Sequence, residues 1–242
     1  MEKKYKLTAE TCEYKGHVLH RIVALRDFDD VKAGDKGGWI EKESNLSQNG
    51  YCWVGDEAKV YSDARVYGGA KVFDNALVYG DANVYGKVKV YGCAKVYGDA
   101  VVHGDASVHG NAEVYGDAMV YCSAEVCGNT KVYGNAMVYG NARVYGNAVV
   151  CGDAEVINNM DYIVFKNWWG SGRYFTWTRS NNKWLVGCFY GTGEKLIAKA
   201  YKDSESSGRE YERIVRYVEA INKPIKKLNL IQRIVCRLFK IK

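Results

Sequence analysis

The sequence predicts a mainly β protein. Its middle is a parallel β-helix of about six triangular coils, framed by an N-terminal cap and a small α+β module on the C-terminal side. Three observations carry this. Valine recurs at every sixth position from Val54 to Val156, with no insertion or deletion. The unit around each valine reads V-Y-G-D/N-A-x, as in Val96-Tyr97-Gly98-Asp99-Ala100. The chain holds 26 glycines but one proline, so its turns rely on Gly-Asn/Asp chemistry.

A period of six matches neither the 3.6 of an α-helix nor a heptad, but it is a multiple of two and suits short strands. Alternation then assigns the faces. Ala58 and Val60 point inward, and Lys59 and Tyr61 outward. Three hexads close a coil of 18 residues, and stacked coils pair as parallel strands about 4.8 Å apart. The narrow interior accepts valine and alanine. Val88 and Thr130, each in place of alanine, are its modest departures. Gly80-Asp81, Gly104-Asp105 and Gly140-Asn141 are corners, where residues that tolerate positive φ are needed.

These hexads resemble the hexapeptide-repeat family of bacterial and phage proteins, in which a small residue two places before an aliphatic one marks a left-handed parallel β-helix. The resemblance supplies the handedness. It covers about a hundred residues and is specific for fold but not for function, since acyltransferases, carbonic anhydrases and structural proteins share it.

Residues 1–53 form the cap. Val18 to Leu25 reads as a strand, and Asp27-Phe28-Asp29-Asp30 and Ala33-Gly34-Asp35 as turns. Ile40 and Leu46 are six apart but Val54 follows eight later, which places the start of the helix near Ile40 and a two-residue slip around Asn49-Gly50. The stretch from Asp27 to Ile40, with Asn45 to Val54 after it, resembles the cap of hexapeptide proteins labelled transferases or polymer-forming cytoskeletal proteins. Residues 54–157 form the helix, which stops at Ile157-Asn158-Asn159. In residues 158–221, Tyr162–Lys166, Arg173–Thr178 and Lys183–Cys188 read as antiparallel strands, with a hairpin signal at Ser180-Asn181-Asn182. Gly193–Asp203 and Ser207–Ile221 read as helices. This segment resembles a module at the end of phage and prophage hexapeptide proteins. Residues 222–242 are basic and amphipathic. They suit a membrane-surface or partner helix, or a terminal helix packed on its own domain.

The net charge of +6 is concentrated. Residues 222–242 hold seven Lys/Arg and no acid, leaving 27 basic against 28 acidic residues elsewhere. A near-neutral body argues against duplex nucleic-acid binding and against DNA mimicry. The eight cysteines form no C-x-x-C pair, and several replace repeat residues singly, as Cys127 and Cys151 replace tyrosine. No disulfide framework, zinc site or cofactor is expected, and a reducing cytoplasm is the expected compartment. The first residues carry no apolar stretch of the signal-peptide kind.

No catalytic residue is assigned. His103 and His109 occupy the outward position otherwise held by tyrosine, one hexad apart and so on adjacent faces, and read as simple replacements. Sorting by 18 places Tyr61, Tyr79, Tyr97, Tyr115 and Tyr133 in one ladder, which is the candidate surface for assembly as a dimer or trimer. The second ladder holds Tyr67, Tyr85, His103, Tyr121 and Tyr139. The third is mixed: Gly55, Phe73, Tyr91, His109, Cys127 and Tyr145. Trp168, Trp169, Arg173, Tyr174, Trp177, Arg179, Tyr190 and Thr192 are candidates for docking a protein partner or a ligand. Stacking aromatics with arginine, and the Gly191-Thr192-Gly193 helix start, would suit a nucleotide. The expectation is a non-enzymatic scaffold that oligomerises and binds a macromolecular partner. The resemblance to phage proteins suggests inhibition of a bacterial defence complex. A hexapeptide acyltransferase and a nucleotide sponge are the alternatives.

Overall fold

A computed structural model describes Glu2–Asn222; the basic tail from Lys223 on lies outside the described residues. The chain divides into two compact units, one ending at Gly191 and the other beginning at Thr192. The division falls inside the 158–221 segment.

The first unit opens with β1 (Tyr5–Tyr14), β2 (His17–Ala24) and β3 (Lys36–Ile40), an antiparallel set. Sequence reasoning missed β1, whose alternation is diluted by lysine, threonine and glutamate. Eighteen two-residue strands follow, from β4 (Trp53–Val54) to β21 (Glu155–Val156). Each is one hexad's variable residue and its valine. They sort by threes into three parallel faces, and every pair is in register at 18 residues, as in Val96↔Val114. The valines from Val54 to Val156 and nearly all alanines two places before them are buried in one continuous core. Val88 and Thr130 join them with no exposure.

The helix has about seven turns, not about six. Ile40 pairs with Val60 and Leu46 with Val66, each at a spacing of 20, and so belong to an additional first coil. The two extra residues lie between Leu46 and Val54, where the spacing slips. Gly38 sits where a Cβ would come within 2.6 Å of the Ala58 carbonyl, so only glycine lets β3 settle onto the coil above. At a typical corner, Gly86 has φ +84°, and a Cβ there would lie 2.6 Å from the Gly104 carbonyl. Asp56, Ser62, Asp74 and Cys122 take the same left-handed corner without being glycine.

The ends of the stack pose opposite problems. Between coils, an N–H donates to a carbonyl 17 residues later, as Gly55 N to Val72 O (2.8 Å). Most of the bonds between coils run this way, so the first coil is left mainly with unused carbonyls and the last mainly with unused N–H groups. At the first end, buried donors answer. Lys4 Nζ donates to Cys52 O (2.8 Å) and Tyr5 Oη to Leu46 O (2.6 Å). Burial holds the Lys4 ammonium pKa below its usual value. At the last end, acceptors answer. Arg143 N donates to Asn159 Oδ1 (2.7 Å), Tyr145 N to Tyr162 Oη (3.3 Å), Val149 N to Thr176 Oγ1 (3.0 Å) and Glu155 N to Ser180 Oγ (2.7 Å).

Those acceptors lie on or beside an antiparallel sheet of β22 (Tyr162–Lys166), β23 (Tyr174–Thr178), β24 (Lys183–Val186) and β25 (Phe189–Gly191). It has four strands, not the expected three, because Gly187, at φ +57°, turns the chain into β25. In the second unit, α1 (Gly193–Asp203) and α2 (Glu205–Asn222) pack together, burying Leu196, Ile197, Val215 and Val218. Arg216 is bonded to Glu194 and Glu219. No described helix is long and apolar enough to cross a membrane.

Candidate functional site

Because no loop leaves the repeat between β4 and β21, the outer surface of the solenoid consists of side chains from the strands and corners. The most regular face carries Tyr61, Tyr79, Tyr97, Tyr115 and Tyr133. Their ring centroids are 4.8 to 5.0 Å apart and the rings lie within 10° of parallel. In-register parallel strands impose this stacking, because residues 18 apart share one position in successive coils. The first ring is buried beneath Tyr14, His17, Leu19 and Trp39. The next four are half-buried. Burial raises the phenol pKa of all five. Beside the rings, Lys95 (2.9 Å) and Lys131 (3.2 Å) grip Glu113. Burial opposes ionisation of Glu113, but these hydrogen bonds outweigh it and keep the carboxyl below its usual range.

The second ladder stacks likewise, His103 lying 5.1 Å from Tyr85 and 5.0 Å from Tyr121. The third face differs. Gly55 supplies no ring, and beside it a cleft of about 480 Å³ is lined by Asp30, Lys36, Trp53, Asp56, Lys71 and Phe73. Further along, His109 stacks on Tyr91 at 4.6 Å. Its Nε2 lies 2.9 Å from Glu125 Oε1, which also receives Arg143 Nη2 at 3.1 Å. Cys127, one coil from His109, is 7% exposed. Burial raises the Cys127 thiol pKa. For Glu125, burial is outweighed by the His109 hydrogen bond and the Arg143 charge, which keep the carboxyl low. The ligand atoms of His109, Glu125 and Cys127 all lie within 4.8 Å of one another, so these three could hold a metal ion.

The residues predicted in the C-terminal segment are dispersed. Trp177 is core, its Nε1 donating to Asn182 Oδ1 (2.9 Å). Arg179 pairs with Asp161 at 3.8 Å. Tyr174 lines a cleft of about 390 Å³ with Tyr145 and Tyr162. Trp168 is 83% exposed and edge-on to the half-buried Trp169. Arg173 is exposed beside Gly187. Tyr190 Oη lies within hydrogen-bond reach of Asn181 and Asp153. Thr192 opens the second unit as the N-cap of α1, and Glu194 follows in the first turn. Sequence reasoning did not connect Glu125 and Arg143 with His109. The available signal was the 18-residue step from His109 to Cys127, with Glu125 two places before and Arg143 a further 18 on.

The solenoid has relatives. Residues 138–152 match the YdcK beta solenoid repeat family. The repeat is of the hexapeptide β-helix kind. Over 66 residues the chain is 38% identical to "Uncharacterized acetyltransferase YdcK" of Escherichia coli (strain K12), an alignment covering 24% of this chain and 20% of that protein. The chain thus matches about a fifth of the length of this YdcK relative.

Proposed function

We propose that the protein is a rigid β-solenoid scaffold that pairs with further copies of itself through the Tyr61–Tyr133 face and carries a binding surface for a macromolecular partner. The observation that supports this is the ladder itself: four half-buried parallel rings on a face bordered by Lys95, Glu113 and Lys131, with no loop projecting from the repeat to obstruct a flat partner. The setting we assign, a phage or prophage factor acting on a bacterial defence complex, draws on the resemblance of the cap and the C-terminal segment and on nothing in the geometry. Light scattering on the wild type and on Tyr97→Arg/Tyr115→Arg tests the assembly. The wild type is expected as a dimer or trimer and the double variant as a monomer; a monomeric wild type refutes the pairing.

A second reading, an acyltransferase, is supported by the acetyltransferase name of the relative and by His109 held against Glu125. It predicts acyl-CoA binding by calorimetry and its loss, or loss of turnover, in His109→Ala. An absence of binding by any acyl-CoA removes it.

A further inference from the structure

We infer that His109, Glu125 and Cys127 form a transition-metal site on the mixed face of the solenoid, with the donor set of a three-ligand Zn²⁺ site. This inference is independent of the assembly proposed above.

The site is a consequence of stacking. Ser107-Val108 and Glu125-Val126 pair in register, so His109 and Cys127 occupy the same position in successive coils, and Glu125 stands two residues before Cys127 on the same outward side. A thiolate, an imidazole and a carboxylate are the mixed donors that borderline-soft divalent ions prefer over the all-oxygen sets of Mg²⁺ and Ca²⁺. Around a tetrahedral Zn²⁺, ligand atoms stand roughly 3.5 Å apart. The three here lie within 4.8 Å of one another, with Nε2 to Oε1 at 2.9 Å, so side-chain rotation alone brings them to a common centre.

Two neighbours shape the site. Tyr91 lies 6° from parallel with His109, which fixes the imidazole plane before any ion arrives. Arg143 now occupies the Glu125 carboxylate, and its side chain is 56% exposed, so it can withdraw into solvent when a dication takes its place. Thiolate and carboxylate together balance Zn²⁺, and with them in place the guanidinium is a competitor. Side-chain exposures of 24% for His109 and 31% for Glu125 leave the fourth position to water.

The experiment titrates the reduced full chain with Co²⁺, whose thiolate charge-transfer absorption reports sulfur coordination directly, followed by Zn²⁺ as displacer. One equivalent of Co²⁺ should develop the band and Zn²⁺ should abolish it. Cys127→Tyr and His109→Tyr restore the residue that the repeat places at these positions elsewhere, so both variants should fold. The first should lose the band and the second should weaken binding at least about tenfold. Arg143→Gln should tighten binding by about tenfold, the effect of removing one nearby competing charge. A wild type with no band overturns the inference, as does a band that persists with unchanged affinity in Cys127→Tyr, which would assign it to another cysteine.

Discussion

The two ends of the solenoid make opposite demands on the chain. The first coil exposes carbonyls and is closed by donors, the ammonium of Lys4 and the hydroxyl of Tyr5. The last coil exposes N–H groups and is closed by acceptors on Asn159, Tyr162, Thr176 and Ser180. A parallel stack has a direction, so one kind of cap cannot serve both ends. The segment after Ile157, which reads from sequence as a binding module, contributes four side chains to closing the last coil. A stretch rich in tryptophan, tyrosine and arginine can thus owe part of its composition to the backbone it covers.

Alkaline pH should separate the ends most strongly. Burial first, then nearby Glu43 and Cys52, raises the Tyr5 pKa; at the last coil burial raises that of Tyr162 by less, while Asn159, Thr176 and Ser180 do not titrate, and the lowered Lys4 pKa works in the opposite sense at the first coil. A raised phenol pKa means that the folded chain keeps protons the unfolded chain releases. Stability is therefore intact below about pH 10 and falls as pH rises from there through the folded values. The ladder phenols add to this, and Tyr162 and Tyr190 are pushed up to about 12. Amide exchange followed above pH 10 should open first at Leu46–Cys52, and phenolate absorbance should rise with the same transition. Simultaneous opening of both ends would break the contrast.

Substitutions sharpen it. Gly86→Ala, in the middle of the stack, is expected to cost about 3 kcal/mol by thermal unfolding, from a left-handed backbone and a clash with the Gly104 carbonyl. Tyr5→Phe leaves the Leu46 carbonyl without this donor and should cost about 2 kcal/mol. Thr176→Val removes the acceptor for Val149 N–H and should cost about 1.5 kcal/mol, with exchange protection lost at the last coil alone. Thr130→Ala has the opposite sign. The buried hydroxyl has no hydrogen-bond partner among the described residues, and returning to the repeat's own alanine should stabilise by about 1 kcal/mol.

Much of the molecule was legible in the sequence because a six-residue period leaves few solutions. It placed Val54 to Val156 inside, sorted the ladders correctly and located the slip before Val54. It missed β1, whose lysine, threonines and glutamates hide the alternation, and β25, which is three residues long. The candidates from Trp168 to Thr192 are scattered because the segment's fold sends Trp177 inward, ties Arg179 to Asp161 and places Thr192 beyond the division between units.

The sequence by itself determined the coil, its contents and which residues stack, because a strict short period converts position along the chain into position in space. Tertiary structure alone decided what the exceptions do. His109, Glu125, Cys127 and Arg143 span two 18-residue steps, and only the closing of coils brings them together. The roles of Lys4, Tyr5, Thr176 and Ser180 likewise follow from which end of a directional stack each one reaches.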